Sequence, residues 1–240
     1  MKLLKFKHNG KFYSGIFKNN SIIEEKTRKE FDPEKIIFLP PVNPPKIICI
    51  GFNYRKHRDE LKDLATREPT ITLKAACSIL PHKGTIILPQ KSDDVQHESE
   101  LGVVIKKGGY RIKNPIKHIL GYTIVNDVTA RDIERKMIQW SASKSFPTFC
   151  PCGPFIETDI NPDNLEILCK VNGEIRQNAK TCQMIYSPEE CVKFVSKFME
   201  LQKGDLIATG TPQGVGKLEN GDVIEIKIEG IGMLKNFAVK

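Results

Sequence analysis

The sequence predicts a strand-rich α+β fold with a few helices. Three observations carry this expectation. Asn9-Gly10, Asn19-Asn20 and Asn172-Gly173 separate short apolar or aromatic runs, which is the chemistry of tight hairpins. The run DVIEIKI (222–228) alternates and places Ile224, Ile226 and Ile228 on one face. Strand patterns outnumber helical ones and do not alternate with them regularly, which argues against a doubly wound parallel sheet.

Residues 1–45 form a small β-rich part, closed by the stiff joint LPPVNPPK (39–46). Residues 46–240 form the main domain, which opens on the strand KIICIG. A helix is expected over 54–69, with Tyr54, His57, Leu61 and Leu64 on one stripe and Pro69 closing it. Residues 129–144 carry a second helical stripe through Ala130, Ile133, Met137 and Trp140. A third helix starts at SPEE, where Ser187, Pro188 and Glu190 suit the N-cap, N1 and N3 positions of a capping box. Gly204 is expected to end it.

At 240 residues the chain can bury a full core. No apolar run reaches the roughly 20 residues of a membrane helix. The charged start MKLLKFKHNGKF does not suit a secretory segment. Both point to the cytoplasm and away from membrane partners. The seven cysteines show no CxxC spacing, so they are expected as buried, reduced thiols. The net charge of +8 peaks in KKGGYRIKNPIKH (106–118), which lacks interleaved aromatics and reads as a solvated loop, not as a nucleic-acid surface. The glycine-rich ATGTPQGVGK (208–217) lacks GK[ST] and leads to a strand, so it is no P-loop. GxGxxG, GxSxG and HExxH motifs are also absent.

The chemistry concentrates elsewhere. In HESELGVVI (97–105), Glu98 and Glu100 are two residues apart on a strand and face the same way. They are either a solvated strand end or a pair neutralised by a hard divalent cation. Asp127, where the strand GYTIV runs out in GYTIVNDVTARD, is either a helix N-cap or a third carboxylate ligand. Asp132 could pair with Arg131 or Lys136. His57 and Glu60 face nearly the same way on their helix, as core and surface residues or as an imidazole oriented by a carboxylate. Lys144, in SASKSFPTF, is either a snorkelling surface lysine or a functional cation.

Taken in order, IGFNYRKHRDEL, HESELGVVI, GYTIVNDVTARD, SKSF, CGPFIET, VNGEIRQ, ATGTPQGVG and GDVIEIKIEGIGMLKN resemble the fumarylacetoacetate hydrolase family. These segments span nearly all of 46–236. The resemblance implies a rolled mixed β-sheet, a homodimer and bound Mg²⁺ or Mn²⁺. It implies Glu98, Glu100 and Asp127 as metal ligands, and His57, Glu60 and Lys144 as catalytic groups. Arg131 and Thr211 would contact the substrate acid. The expected activity is Mg²⁺-dependent hydrolysis of the C–C bond of an acylpyruvate through a metal-bound enolate. Oxaloacetate-type decarboxylation, isomerisation or tautomerisation of an unsaturated oxo-dioate, and a degenerate metal- or ligand-binding protein are the alternatives. Three positions depart from the family pattern. Glu134 stands where many relatives have glutamine, Pro147 where aspartate is common, and Ala75 where proline is frequent.

Overall fold

Turn chemistry sets the first strands of the computed structural model, which describes residues 1–56 and 68–240. Asn9 and Gly10 take φ of 47° and 78°, and Asn19 and Asn20 take 50° and 60°. Two successive left-handed residues suit the right-handed twist of a hairpin. They fold Lys2–His8, Lys11–Lys18 and Ser21–Glu24 into an antiparallel meander. Phe6, Phe31, Phe38 and Phe155 fill an aromatic core beneath it. At its edge Lys2 and Leu3 pair with Glu157 and Ile156.

That pairing extends a mixed sheet of eleven strands among the described residues. From Ile156–Glu157 it runs through Ile119–Asn126, Ser99–Ile105, Leu206–Ala208 and Ile47–Gly51 to Thr70–Lys74. Ser99–Ile105 is buried at all seven positions because both of its faces are covered. Leu101, Val103 and Ile105 pack into the main core, and Val104 packs the other way, in a cluster with Cys49, Val125 and Leu206. The main core also takes Ile167, Ile224, Ile226 and Ile228 of a second, five-stranded sheet. Asn172 and Gly173 turn that sheet's hairpin at φ of 52° and 82°. Each fully buried isoleucine or leucine here contributes about 1.5–3 kcal/mol. The strand-rich α+β class is therefore observed.

The helices differ from expectation in extent. The helix foreseen over 54–69, with His57 and Glu60, falls largely on residues 57–67, outside the described residues. Residues 129–144 are not one helix. Thr129 and Ala130 pair as a strand with Gln96 and Val95, and only Arg131–Glu134 and Ser141–Lys144 are helical. Pairing claims the first backbone groups, and the apolar stripe has no continuous core to meet: Ala130 is buried and Ile133 packs on the main core, but Met137 is 45% exposed. The SPEE helix forms as Pro188–Val195 with both bonds of its capping box, Glu190 N to Ser187 Oγ (3.2 Å) and Ser187 N to Glu190 Oε2 (2.8 Å). It ends well before Gly204. The Ser196 carbonyl accepts from Arg111 N and its hydroxyl bonds back to the Lys193 carbonyl, which diverts the chain. Gly204, at φ 90°, instead turns the chain toward Leu206–Ala208.

Candidate functional site

Strand register assembles the site. Ser99 pairs with Asn126 and Glu100 with Val125, so one step outward Glu98 lies opposite Asp127. Asp127 N donates to the Glu98 carbonyl at 2.9 Å, and the Asn126 Oδ1 accepts from Glu98 N at 2.9 Å. Glu100, two residues on, shares the face of Glu98. Carboxylate oxygens of Glu98, Glu100 and Asp127 lie within 4.8 Å of one another, and the residues are 4%, 2% and 1% exposed. The glutamates are thus no solvated strand end. Asp127 is no N-cap either, since Ala130 holds that position and makes no side-chain cap.

Three buried carboxylates demand positive charge. Lys144 Nζ supplies part of it, bonding Asp127 Oδ2 at 2.7 Å, Glu98 Oε2 at 3.1 Å and Thr129 Oγ1 at 2.8 Å. It is a buried cation, not a snorkelling one. Although burial works against its charge, Asp127, Glu98 and Glu134 push its pKa well above the usual lysine range. Lys74 Nζ pairs with Asp127 Oδ1 and donates to the Val128 carbonyl at 3.0 Å. Burial would raise the Asp127 carboxyl, but Lys144 and Lys74 hold it well below its ordinary value. Glu100 has less such help. Burial, then Asp127 and Glu98, push its carboxyl well above the usual range, against the opposing charge of Lys144 and a backbone bond from Gly210 N at 2.7 Å. A hard cation among these oxygens would relieve that repulsion, and each carboxylate has lone pairs to spare for it beside the lysines.

Arg131 frames the next side. Its Nε donates to Gln96 Oε1 at 3.0 Å, its Nη2 pairs with Glu98 and its Nη1 with Glu134. Asp132 turns to other partners than Arg131 or Lys136; it accepts from Ser92 Oγ at 2.6 Å and Asp93 N at 3.2 Å. Thr211 Oγ1 donates to the Ser99 carbonyl at 3.1 Å and accepts from Gln177 Nε2 at 2.8 Å. The same Gln177 accepts through Oε1 from Ser99 N and Oγ, at 3.0 and 2.8 Å. His97 Nδ1 lies 3.2 Å from that oxygen. Burial pushes the His97 imidazole down to about 4, so it is neutral.

Glu98, Glu100, Asp127, Arg131, Lys144 and Thr211 line one cavity of about 260 Å³. Phe52, Met137 and Trp140 form its apolar part. Every sequence-derived site residue that is described therefore meets in one place; His57 and Glu60 lie outside the described residues. Sequence reasoning missed Lys74 and Gln177 as parts of the site. Lys74 alternates with the exposed Leu73, yet a lysine on a polar strand face is ordinarily assigned to water. Gln177 ends the segment VNGEIRQ, which carries no signal that this side chain crosses between sheets. Five of the seven cysteines are buried, Cys77 and Cys182 are exposed, and none is in a disulfide.

Residues 46–239 match the family described as fumarylacetoacetate (FAA) hydrolase C-terminal. The chain belongs to the fumarylacetoacetate hydrolase family. Within it, the bovine mitochondrial oxaloacetate tautomerase FAHD2A is 41% identical over 220 residues, 85% of this chain and 70% of that protein. The crystal structure of 5-carboxymethyl-2-hydroxymuconate delta-isomerase from Mycobacterium smegmatis is 35% identical, with a TM-score of 0.92, covering 100% of this chain and 99% of that one. Fumarylpyruvate hydrolase from Pseudomonas aeruginosa, solved with Mn²⁺ and pyruvate, is 32% identical at a TM-score of 0.76 over 83% of this chain and 91% of that one. These fumarylacetoacetate hydrolase family relatives bear the names of enzymes, and their reactions differ: tautomerase, isomerase and hydrolase. Among the described residues, no helix is long and apolar enough to cross a membrane.

Proposed function

We propose that this chain is a divalent-metal-dependent enzyme acting on small 2-oxo acids, and that it most directly hydrolyses the C–C bond of an acylpyruvate. The observation that carries this reading is the buried trio Glu98, Glu100 and Asp127 in the wall of a cavity of substrate size. These three residues would hold the cation, Mg²⁺ or Mn²⁺; the Mn²⁺ and pyruvate of the Pseudomonas aeruginosa hydrolase support both the metal class and the ligand class. When bound, the cation supplies Lewis acidity that lowers the cost of negative charge on a 2-oxo oxygen.

The remaining roles fall to the chain's own groups. Lys144, held protonated among carboxylates, donates hydrogen bonds or a proton as charge develops on the reacting acid. Arg131 and Thr211 orient the substrate acid group from the cavity wall. His57, oriented by Glu60, is proposed from the family resemblance as the general base that activates water. The boundary between the small N-terminal part and the catalytic domain is placed at residue 45, supported by the family match starting at 46. A homodimer is proposed on the same resemblance.

The name of the bovine relative favours a second reading, tautomerisation of oxaloacetate, which moves only a proton and needs no activated water. A panel of acetylpyruvate, fumarylpyruvate and oxaloacetate with Mg²⁺, followed by ultraviolet absorbance and product analysis, separates the two. Hydrolysis is expected, with Glu98→Ala and Glu100→Ala inactive on all substrates. His57→Ala should lose hydrolysis by at least about a hundredfold. Oxaloacetate tautomerisation that survives His57→Ala, with no cleavage of any acylpyruvate, would replace the first reading by the second.

A further inference from the structure

Glu134 is the carboxylate that the proposed chemistry leaves unused. It lines the cavity, is largely buried, pairs with Arg131 Nη1 and brings Oε1 to 4.0 Å from Lys144 Nζ. Its presence narrows the Arg131 fork. Nε serves Gln96, Nη2 serves Glu98 and Nη1 serves Glu134, so a ligand acid reaches Arg131 only through the second N–H of Nη1 or Nη2. Glu134 stands beside those donors as a like charge to any ligand carboxylate.

The charges around the cavity say the same. Among the described residues, the set holds four carboxylates (Glu98, Glu100, Asp127 and Glu134) against three cations (Lys74, Lys144 and Arg131). Arg135 also reaches the lining, but its side chain is 62% exposed and has its own counter-ion in Asp94 at 3.3 Å. Glu134 thus brings a fourth carboxylate to a wall where Arg131 is already shared with Glu98. A second ligand carboxylate would meet this like charge inside a desolvated cavity, where it is poorly screened.

We propose that Glu134 is the residue that sets the charge class of the ligand, so that the cavity takes 2-oxo acids with a single carboxylate and disfavours dicarboxylates. This rests on the 2-oxo-acid reading above. The test is calorimetric titration of the Mg²⁺-loaded full chain with 2-oxopentanoate and 2-oxoglutarate, which match in chain length and differ in distal charge. Wild type is expected to bind 2-oxopentanoate more tightly, and Glu134→Gln to shift the ratio toward 2-oxoglutarate by about tenfold or more. Binding of both ligands with a ratio that Glu134→Gln leaves unchanged would overturn the role of Glu134 and spare the 2-oxo-acid reading. Binding of neither ligand to either protein would overturn both. If Glu134→Gln does not fold, wild type alone still decides: equal or tighter binding of 2-oxoglutarate refutes the proposal.

Discussion

Lys74 shows how one side chain tunes a buried charge cluster. It is not among the residues lining the cavity; it faces Asp127 from the end of the edge strand Thr70–Lys74 and shares that carboxylate with Lys144. Removing one partner of a buried ion pair costs about 3–5 kcal/mol, because the other is left uncompensated. Lys74→Met should therefore lower the melting temperature sharply in EDTA. Mg²⁺ should restore more stability to this variant than to wild type, because Asp127 then faces one competing cation fewer. Equal Mg²⁺ shifts in thermal denaturation of the two proteins would refute that coupling. At this scale the sequence was informative where geometry is local. The i, i+2 spacing of Glu98 and Glu100 needs only a strand, and Asp127 needs only the end of one. Lys74 was illegible because its burial depends on a partner 53 residues away.

Elements act through the groups they bring to their neighbours. Gln177, on Glu174–Lys180 of the second sheet, reaches Ser99 on the first sheet and both Thr211 and Pro212 in the following loop. One amide thus ties the strand of the glutamates to the loop of Thr211, the proposed substrate contact. Gln177→Ala strands several buried polar groups, each at about 1–3 kcal/mol. The expected outcome is a urea midpoint lower than wild type together with weaker Mg²⁺ binding. A fall in midpoint with unchanged Mg²⁺ affinity would show that the clamp serves only the fold. The hairpins and the capping box were readable because their signals lie within four residues. The stripe over 129–144 misled because helical spacing does not reveal that Gln96 and Val95 claim the first backbone groups for a strand.

Across the whole molecule, the N-terminal meander and the second sheet meet at His82. Its ring stands edge-on to Phe38 at 4.9 Å, and its Nδ1 accepts from Lys235 N at 3.1 Å. Burial, then Lys83 and Lys235, lower its pKa to about 4. The unfolded chain, with an ordinary imidazole near 6.5, takes up the proton first as the pH falls. Stability is therefore complete above about 6.5 and declines from there toward about 4. His82→Asn, which keeps an acceptor but does not titrate, should show a smaller drop in urea midpoint between pH 7 and pH 4.5. An identical drop in both proteins would place the acid sensitivity elsewhere. The strand-rich class was legible from turns and alternation, whereas the joining of 1–45 to Ile156–Glu157 was not, since no local pattern encodes a pairing across 150 residues.

The pairing of Ser99 with Asn126 also has a bearing on folding fidelity. A slip of one residue between these strands reverses which face each side chain meets. Asp127 would then turn from Lys74 and Lys144 toward the apolar side occupied by Leu101 and Val103, an uncompensated charge in hydrocarbon surroundings. The misaligned ladder keeps most of its backbone bonds yet pays heavily for that one carboxylate. The charges proposed to hold a cation would thus double as a proofreading device, rejecting the nearest wrong alignment before any ligand arrives.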